Sequence, residues 1–187
     1  MRYLKIILLI TFLICSQHIS AKNQLGLWYS GANPDYKPYP TEHGLAISLE
    51  SQLDNKFFVR LKHDTTEFLG SGPEVGGEQF NSWTEVGVGY ALNDWLKGLY
   101  TYVSYTSVDG ESETIDGPGV HLGYQWQWNK QWSSRIQVGH LDTEIDDIQL
   151  EGQLNYQFAD SFQLSIALQD HSDWDYTFYK VGVLYRF

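Results

Sequence analysis

Cysteine is almost missing from this 187-residue chain. The single one, Cys15, sits in an apolar stretch near the amino terminus, so the rest of the chain has nothing to crosslink in an oxidising compartment. No segment reaches eighteen consecutive apolar residues, which excludes a membrane-spanning helix. Cations are in deficit: 12 Lys and Arg face 23 Asp and Glu, for a net charge of −11. So acidic a chain is a poor match for nucleic acid. Asp109-Gly110-Glu111-Ser112-Glu113 lacks the spacing of a calcium-binding EF-hand loop.

What is present begins with a leader. Met1 to Lys5 carries two cations, and Ile6 to Cys15 is an apolar run of about ten residues, the length of a signal-peptide core and too short to span a bilayer. Ile19-Ser20-Ala21 offers a cleavage site after Ala21. Ile14 stands where a lipoprotein signal would have a small residue, which disfavours acylation at Cys15. The expected organisation is a signal peptide over 1–21 and one domain over 22–187.

Within 22–187 the dominant pattern is alternation at period two, the mark of strands with one apolar face. Val86, Val88 and Tyr90 share a face, as do Val120, Leu122, Tyr124 and Trp126, then Ile148, Leu150, Leu154 and Tyr156, and Phe162, Leu164, Ile166 and Leu168. The opposite faces carry Glu85, His121, Gln125, Gln149, Glu151, Gln153, Asn155, Gln163 and Gln169. Tight polar turns fall at Leu53-Asp54-Asn55, Asn93-Asp94, Asn129-Lys130 and Ala159-Asp160-Ser161. Longer Gly-, Pro- and acid-rich stretches occupy 31–42, 67–80, 109–118, 142–147 and 171–175. Four turns and five loops connect ten strands, placed at 24–30, 43–52, 56–66, 81–92, 95–108, 118–128, 131–141, 148–158, 162–171 and 175–187. Eight strands is the alternative, with 24–30 as an irregular lead-in and one other hairpin failing to span. Segment 95–108 has aromatic residues on both faces, so its facing is left open. Short turns on one side, longer loops on the other and aromatic residues at strand ends predict an all-β, closed, antiparallel, up-and-down transmembrane β-barrel, with both termini in the periplasm. A soluble β-sandwich with the apolar rows packed inside is the competing expectation.

The final strand sharpens the choice. Tyr179, Val181, Val183, Tyr185 and Phe187 alternate with Lys180, Gly182, Leu184 and Arg186, and the spacing of Lys180, Gly182, Tyr185 and Phe187 resembles the carboxy-terminal assembly signal of bacterial outer-membrane proteins. Val86-Gly87-Val88-Gly89-Tyr90 running into Leu92-Asn93-Asp94-Trp95, together with Val181 to Phe187, resembles the OmpA/OmpX-like group of small outer-membrane β-barrels. The resemblance implies a Gram-negative outer-membrane location. It implies as partners outer-membrane lipid and lipopolysaccharide, periplasmic chaperones and the barrel-assembly machinery. It implies no activity, and no cofactor is expected.

The expected lumen charges are Glu50, Arg60, Lys62, Glu85, Arg135, Glu151, Lys180 and Arg186, with Asp64 near the rim. In a narrow barrel they must be paired or hydrated, as an internal salt-bridge network or as the lining of a small wet channel. Sixteen acids gather in or beside the longer loops, among them Asp35, Glu42, Glu67, Glu74, Glu78, Asp109, Glu111, Glu113, Asp116, Asp142, Glu144, Asp146, Asp147, Asp170, Asp173 and Asp175. They suit a solvated rim, or cation bridges to lipopolysaccharide phosphates; no metal ligand set is assigned. His140-x-Asp142-x-Glu144 and His171-x-Asp173-x-Asp175 are the catalytic candidates. Their order differs from the omptin Asp/His arrangement, and His171-Ser172 are adjacent where the lipid A deacylase type places its pair two apart. No catalytic residue is therefore assigned. Three functions stay open: a non-enzymatic envelope or surface protein with a charge-paired lumen, a narrow pore, and a rim hydrolase.

Overall fold

The computed structural model describes residues 23–34, 42–65, 74–75, 78–92, 96–110, 114–143, 146–172 and 176–187. The expected signal peptide, the Asn93-Asp94 turn and the loop acids Asp35, Glu67, Glu111, Glu113, Glu144, Asp173 and Asp175 lie outside these residues.

Ten long strands form the wall: β1 (Asn23–Pro34), β2 (Glu42–Gln52), β3 (Phe57–Thr65), β5 (Glu78–Ala91), β6 (Leu99–Gly110), β7 (Thr114–Gln127), β8 (Trp132–Leu141), β9 (Asp147–Ala159), β10 (Phe162–His171) and β11 (Tyr176–Arg186). A two-residue strand, β4 (Glu74–Val75), pairs with the start of β5. Each long strand is antiparallel to its sequence neighbours, β3 pairs with β5, and β1 pairs with β11 from Gln24↔Arg186 to Pro34↔Tyr176. The ring is closed with ten staves, so the eight-strand alternative is set aside.

The apolar rows lie outside. Leu27, Val103, Val120, Leu150, Ile166 and Val181 are exposed, while the residues between them are buried. A sandwich would bury the apolar rows, so the exposed band settles the choice in favour of lipid. Strands of nine to fourteen residues match the length a tilted transmembrane strand needs. An aromatic belt runs around the short-turn end. Trp132 packs on Tyr156 at 4.9 Å, Phe162 on Tyr185 at 5.0 Å, Phe57 on Tyr90 at 5.0 Å, and Tyr185 on Phe187 at 5.6 Å. Ile166→Arg, at the middle of β10's outer face, is expected to cost about 2–4 kcal/mol. Urea titration of the folded barrel in lipid vesicles measures it, with Ser165→Thr on the inner face as the control.

The turns follow their side chains. Asp54 Oδ1 accepts the amides of Lys56 and Phe57, each at 2.6 Å, and these bonds, Phe57's first, hold its carboxyl below the usual range. Asn129 Oδ1 accepts the amides of Gln131 and Trp132 at 2.9 Å. These bonds mimic a backbone turn and leave the flanking strands in register.

Three boundaries differ from the sequence expectation by four residues. β6 starts at Leu99, because Leu96 to Gly98 make a turn in which Gly98 holds φ +95°, a conformation open to glycine. β7 begins at Thr114, ahead of Pro118. That proline sits where β8 has ended, and its carbonyl accepts the Asp142 amide at 2.8 Å, so its missing N–H breaks no ladder. β1 runs on through Gly31, whose bare Cα is covered by the Tyr179 ring.

Candidate functional site

The inner face stacks in layers along the barrel axis. At the short-turn end a cavity of about 740 Å³ is lined by Gln24, Gln52, Phe58, Tyr100, Gln125 and Arg186, with Glu50, Arg60 and Arg135 at its floor. Glu50 Oε2 accepts from Arg60 at 2.8 Å and from Arg135 at 3.0 Å, forming a clasp across the lumen. Arg60 is 3% exposed. It donates also to Gln137 at 2.9 Å and lies over the rings of Tyr102, Phe58 and Tyr100 at 5.0, 5.3 and 5.6 Å. A guanidinium suits such a cage because it combines planar donors with a weakly hydrated face.

Above the clasp, Lys62 bonds to Glu151 and stands 3.9 Å from Glu85; Arg135 reaches Glu151 at 3.8 Å. Glu85 is fully buried and accepts the Tyr102 hydroxyl. Tyr102 packs on His121 at 4.5 Å, and His121 contacts Ser104 at 2.9 Å. Higher still, Lys180 pairs with Asp64 at 2.7 Å, and Ser30 donates to the same carboxylate at 3.3 Å. A cavity of about 40 Å³, room for about three waters, lies between the clasp and Lys180.

Toward the long-loop end, among the described residues, Trp83, Val108, Ile115, Leu141, Phe178 and Ala32 form a buried apolar cluster that caps the lumen. Beside it His171 Nδ1 meets Asp147 Oδ2 at 2.5 Å, and Gln169 donates to Nε2 at 2.7 Å. The Trp83 ring lies 4.8 Å from His171.

The structure thus gathers Glu50, Arg60, Lys62, Glu85, Arg135, Glu151 and Lys180 inside, together with Asp64; Arg186 stands apart at the mouth. Of the positions expected to form an assembly signal, Lys180 and Gly182 face in, Tyr185 and Phe187 face out. The two histidine motifs do not converge: His140 is exposed on the outer face and His171 is buried on the inner one. Asp147, read as a rim acid, is fully buried as the partner of His171. Asp109, Asp116, Asp142, Asp146 and Asp170 are not buried, and no cluster of three or more metal-ligating side chains exists among the described residues.

The Phe58, Tyr100 and Tyr102 cage, Gln137 and the apolar cap were not singled out from sequence, and His121 was placed on the inner face without a role. For Tyr100 and Tyr102 the signal was the register of β6 against β7: Tyr102 pairs with His121, whose face is unambiguous.

No protein-family model matches the chain, and no curated protein matches it in sequence. Solved structures do match. The KdgM porin, in a complex with disordered oligogalacturonate, is similar over 87% of this chain and 99% of its own at 14% identity and a TM-score of 0.51. An outer-membrane channel from Pseudomonas putida F1 is similar over 89% of this chain and 96% of its own, at 9% identity and a TM-score of 0.51. The fold is that of an outer-membrane β-barrel. This outer-membrane-type barrel shares that fold with both. Its interior is described by its own side chains alone.

Proposed function

We propose that this protein is a non-enzymatic barrel of the bacterial outer membrane, closed by its own side chains, with a structural or surface role in the envelope. The observation that carries this reading is the pairing of four lumen cations, Arg60, Lys62, Arg135 and Lys180, with four carboxylates, Glu50, Asp64, Glu85 and Glu151, in a largely buried network. Charges that satisfy each other have no remaining demand for a hydrated channel. Asn23 and Phe187, hydrogen-bonded to each other, lie at the short-turn end, which in this reading is periplasmic. The long-loop acids then face lipopolysaccharide, and the carboxy-terminal strand is read by periplasmic chaperones and the assembly machinery. That strand and the Val86 to Trp95 passage support the OmpA/OmpX-like resemblance.

A second reading, a narrow gated pore, draws on the clasp, a single layer of side chains between the 740 Å³ and 40 Å³ cavities. The test is single-channel recording in planar bilayers at neutral pH. The closed reading expects a silent, heat-modifiable barrel. Discrete, reproducible openings would overturn it in favour of the pore. The variant Arg135→Gln/Lys180→Gln is expected to conduct or to lose stability, because it leaves buried carboxylates short of partners; unchanged stability and silence would count against a paired plug.

A further inference from the structure

The two ends of the lumen differ in charge as well as in shape. The whole chain is acidic, with a net charge of −11. Yet the cavity at the short-turn end is lined by five cations, Lys56, Arg60, Lys97, Arg135 and Arg186, against one carboxylate, Glu50. That carboxylate is already bound by Arg60 and Arg135. Arg186 and Lys97 have no ion pair among the described residues, and Arg135 Nε is buried without a hydrogen-bond partner. A concave wall of one sign focuses its potential into the cavity and draws counter-charge there. Guanidinium groups present paired donors that match the geometry of an oxyanion.

The rest of the lining defines what carries the anion. The amides of Gln24, Gln52, Gln125 and Gln127 both donate and accept, which is the requirement for binding hydroxyl groups. The Phe58 and Tyr100 rings add apolar surface. About 740 Å³ falls within the range of small-molecule sites. We infer that this cavity is a binding site for a small hydroxylated oxyanion, a carboxylated or phosphorylated sugar-like solute, that enters from the short-turn end. Toward the opposite end the described residues pack into the apolar cluster of Trp83 and Phe178, so the open mouth among them is the one at the short-turn end. The site stands whether or not the lumen conducts.

The full chain, refolded in detergent micelles, would be titrated calorimetrically with glucuronate, glucose 6-phosphate and glucose. These share one ring and differ in charge. The expected result is saturable binding of at least one anion, with glucose weaker by about tenfold or more. Binding of glucuronate alone assigns the site to carboxylates, and binding of glucose 6-phosphate alone assigns it to phosphates. Lys97→Gln/Arg186→Gln should weaken anion binding by about tenfold, leave the response to glucose unchanged and keep the heat-modifiable gel mobility. Lys97→Gln alone, at an exposed turn, carries the test if the double variant fails to refold. Equal binding of glucose and the anions, no binding of any probe, or anion binding unaffected by the substitutions would overturn the assignment.

Discussion

Lys62→Met is expected to destabilise the barrel by about 3–5 kcal/mol, the cost of leaving a buried charge without its partner. Lys62 is the cation within 4 Å of both Glu85 and Glu151. Arg135 still approaches Glu151 when the ammonium is gone, at 3.8 Å. Glu85 keeps the Tyr102 hydroxyl but, among the described residues, no other cation within 4 Å, although it is fully buried. Methionine fills most of lysine's volume, so packing changes little and the loss is electrostatic. The fraction that resists unfolding in a urea series, read by gel mobility without boiling, measures it. Lys62→Met/Glu85→Gln is the decisive companion. Removing both members of a buried pair is often nearly neutral, so the double variant should recover most of the loss. A double variant as unstable as the single would mean that Lys62 acts through packing.

Trp83→Ala should cost about 3–5 kcal/mol, because it removes the largest side chain of the apolar cap and leaves a cavity among Val108, Ile115, Leu141 and Phe178. Its second effect is functional. Trp83 covers the His171 ring, so its loss exposes the His171–Asp147 pair to water from the long-loop end. The measurement is proton exchange of the histidine ring by nuclear magnetic resonance in micelles, alongside the urea midpoint. Slow exchange retained in a folded variant would show that the cap seals without Trp83.

The wall of this molecule was legible because lipid and lumen impose opposite chemistry on alternate residues. Rows such as Phe162, Leu164, Ile166 and Leu168 admit one facing once the strand is recognised, and asparagine or aspartate at 54, 129 and 160 punctuates the short turns. Legibility failed where a residue's chemistry suits both sides. Tyr100 and Tyr102 read equally well as interfacial anchors and as lumen lining, and only the hydrogen-bonded register against β7 places them. Asp147 was misread for a related reason. One residue separates the exposed Asp146 from the inward row, and at period two a single step reverses the face. Partner identity was the least accessible. The inward charges were named individually, but that Lys62 bridges β5 and β9 while Arg135 reaches β2 depends on the curvature that brings distant strands across the lumen.

The closing seam carries a consequence for how the molecule is made. Every strand of the wall except one pair finds its partner next in sequence, so hairpins form locally and quickly. The seam joins Gln24 to Arg186 across almost the whole described chain, and loop closure of that length is the slow, entropy-limited step. Until β11 arrives, the unfinished sheet has two bare edges with their amides and carbonyls unpaired. In water such edges invite pairing between chains, and in lipid they are prohibitively costly. The last strand is therefore the commitment step of assembly, and a chain truncated before Tyr176 would be expected to aggregate rather than insert as a nine-stranded sheet.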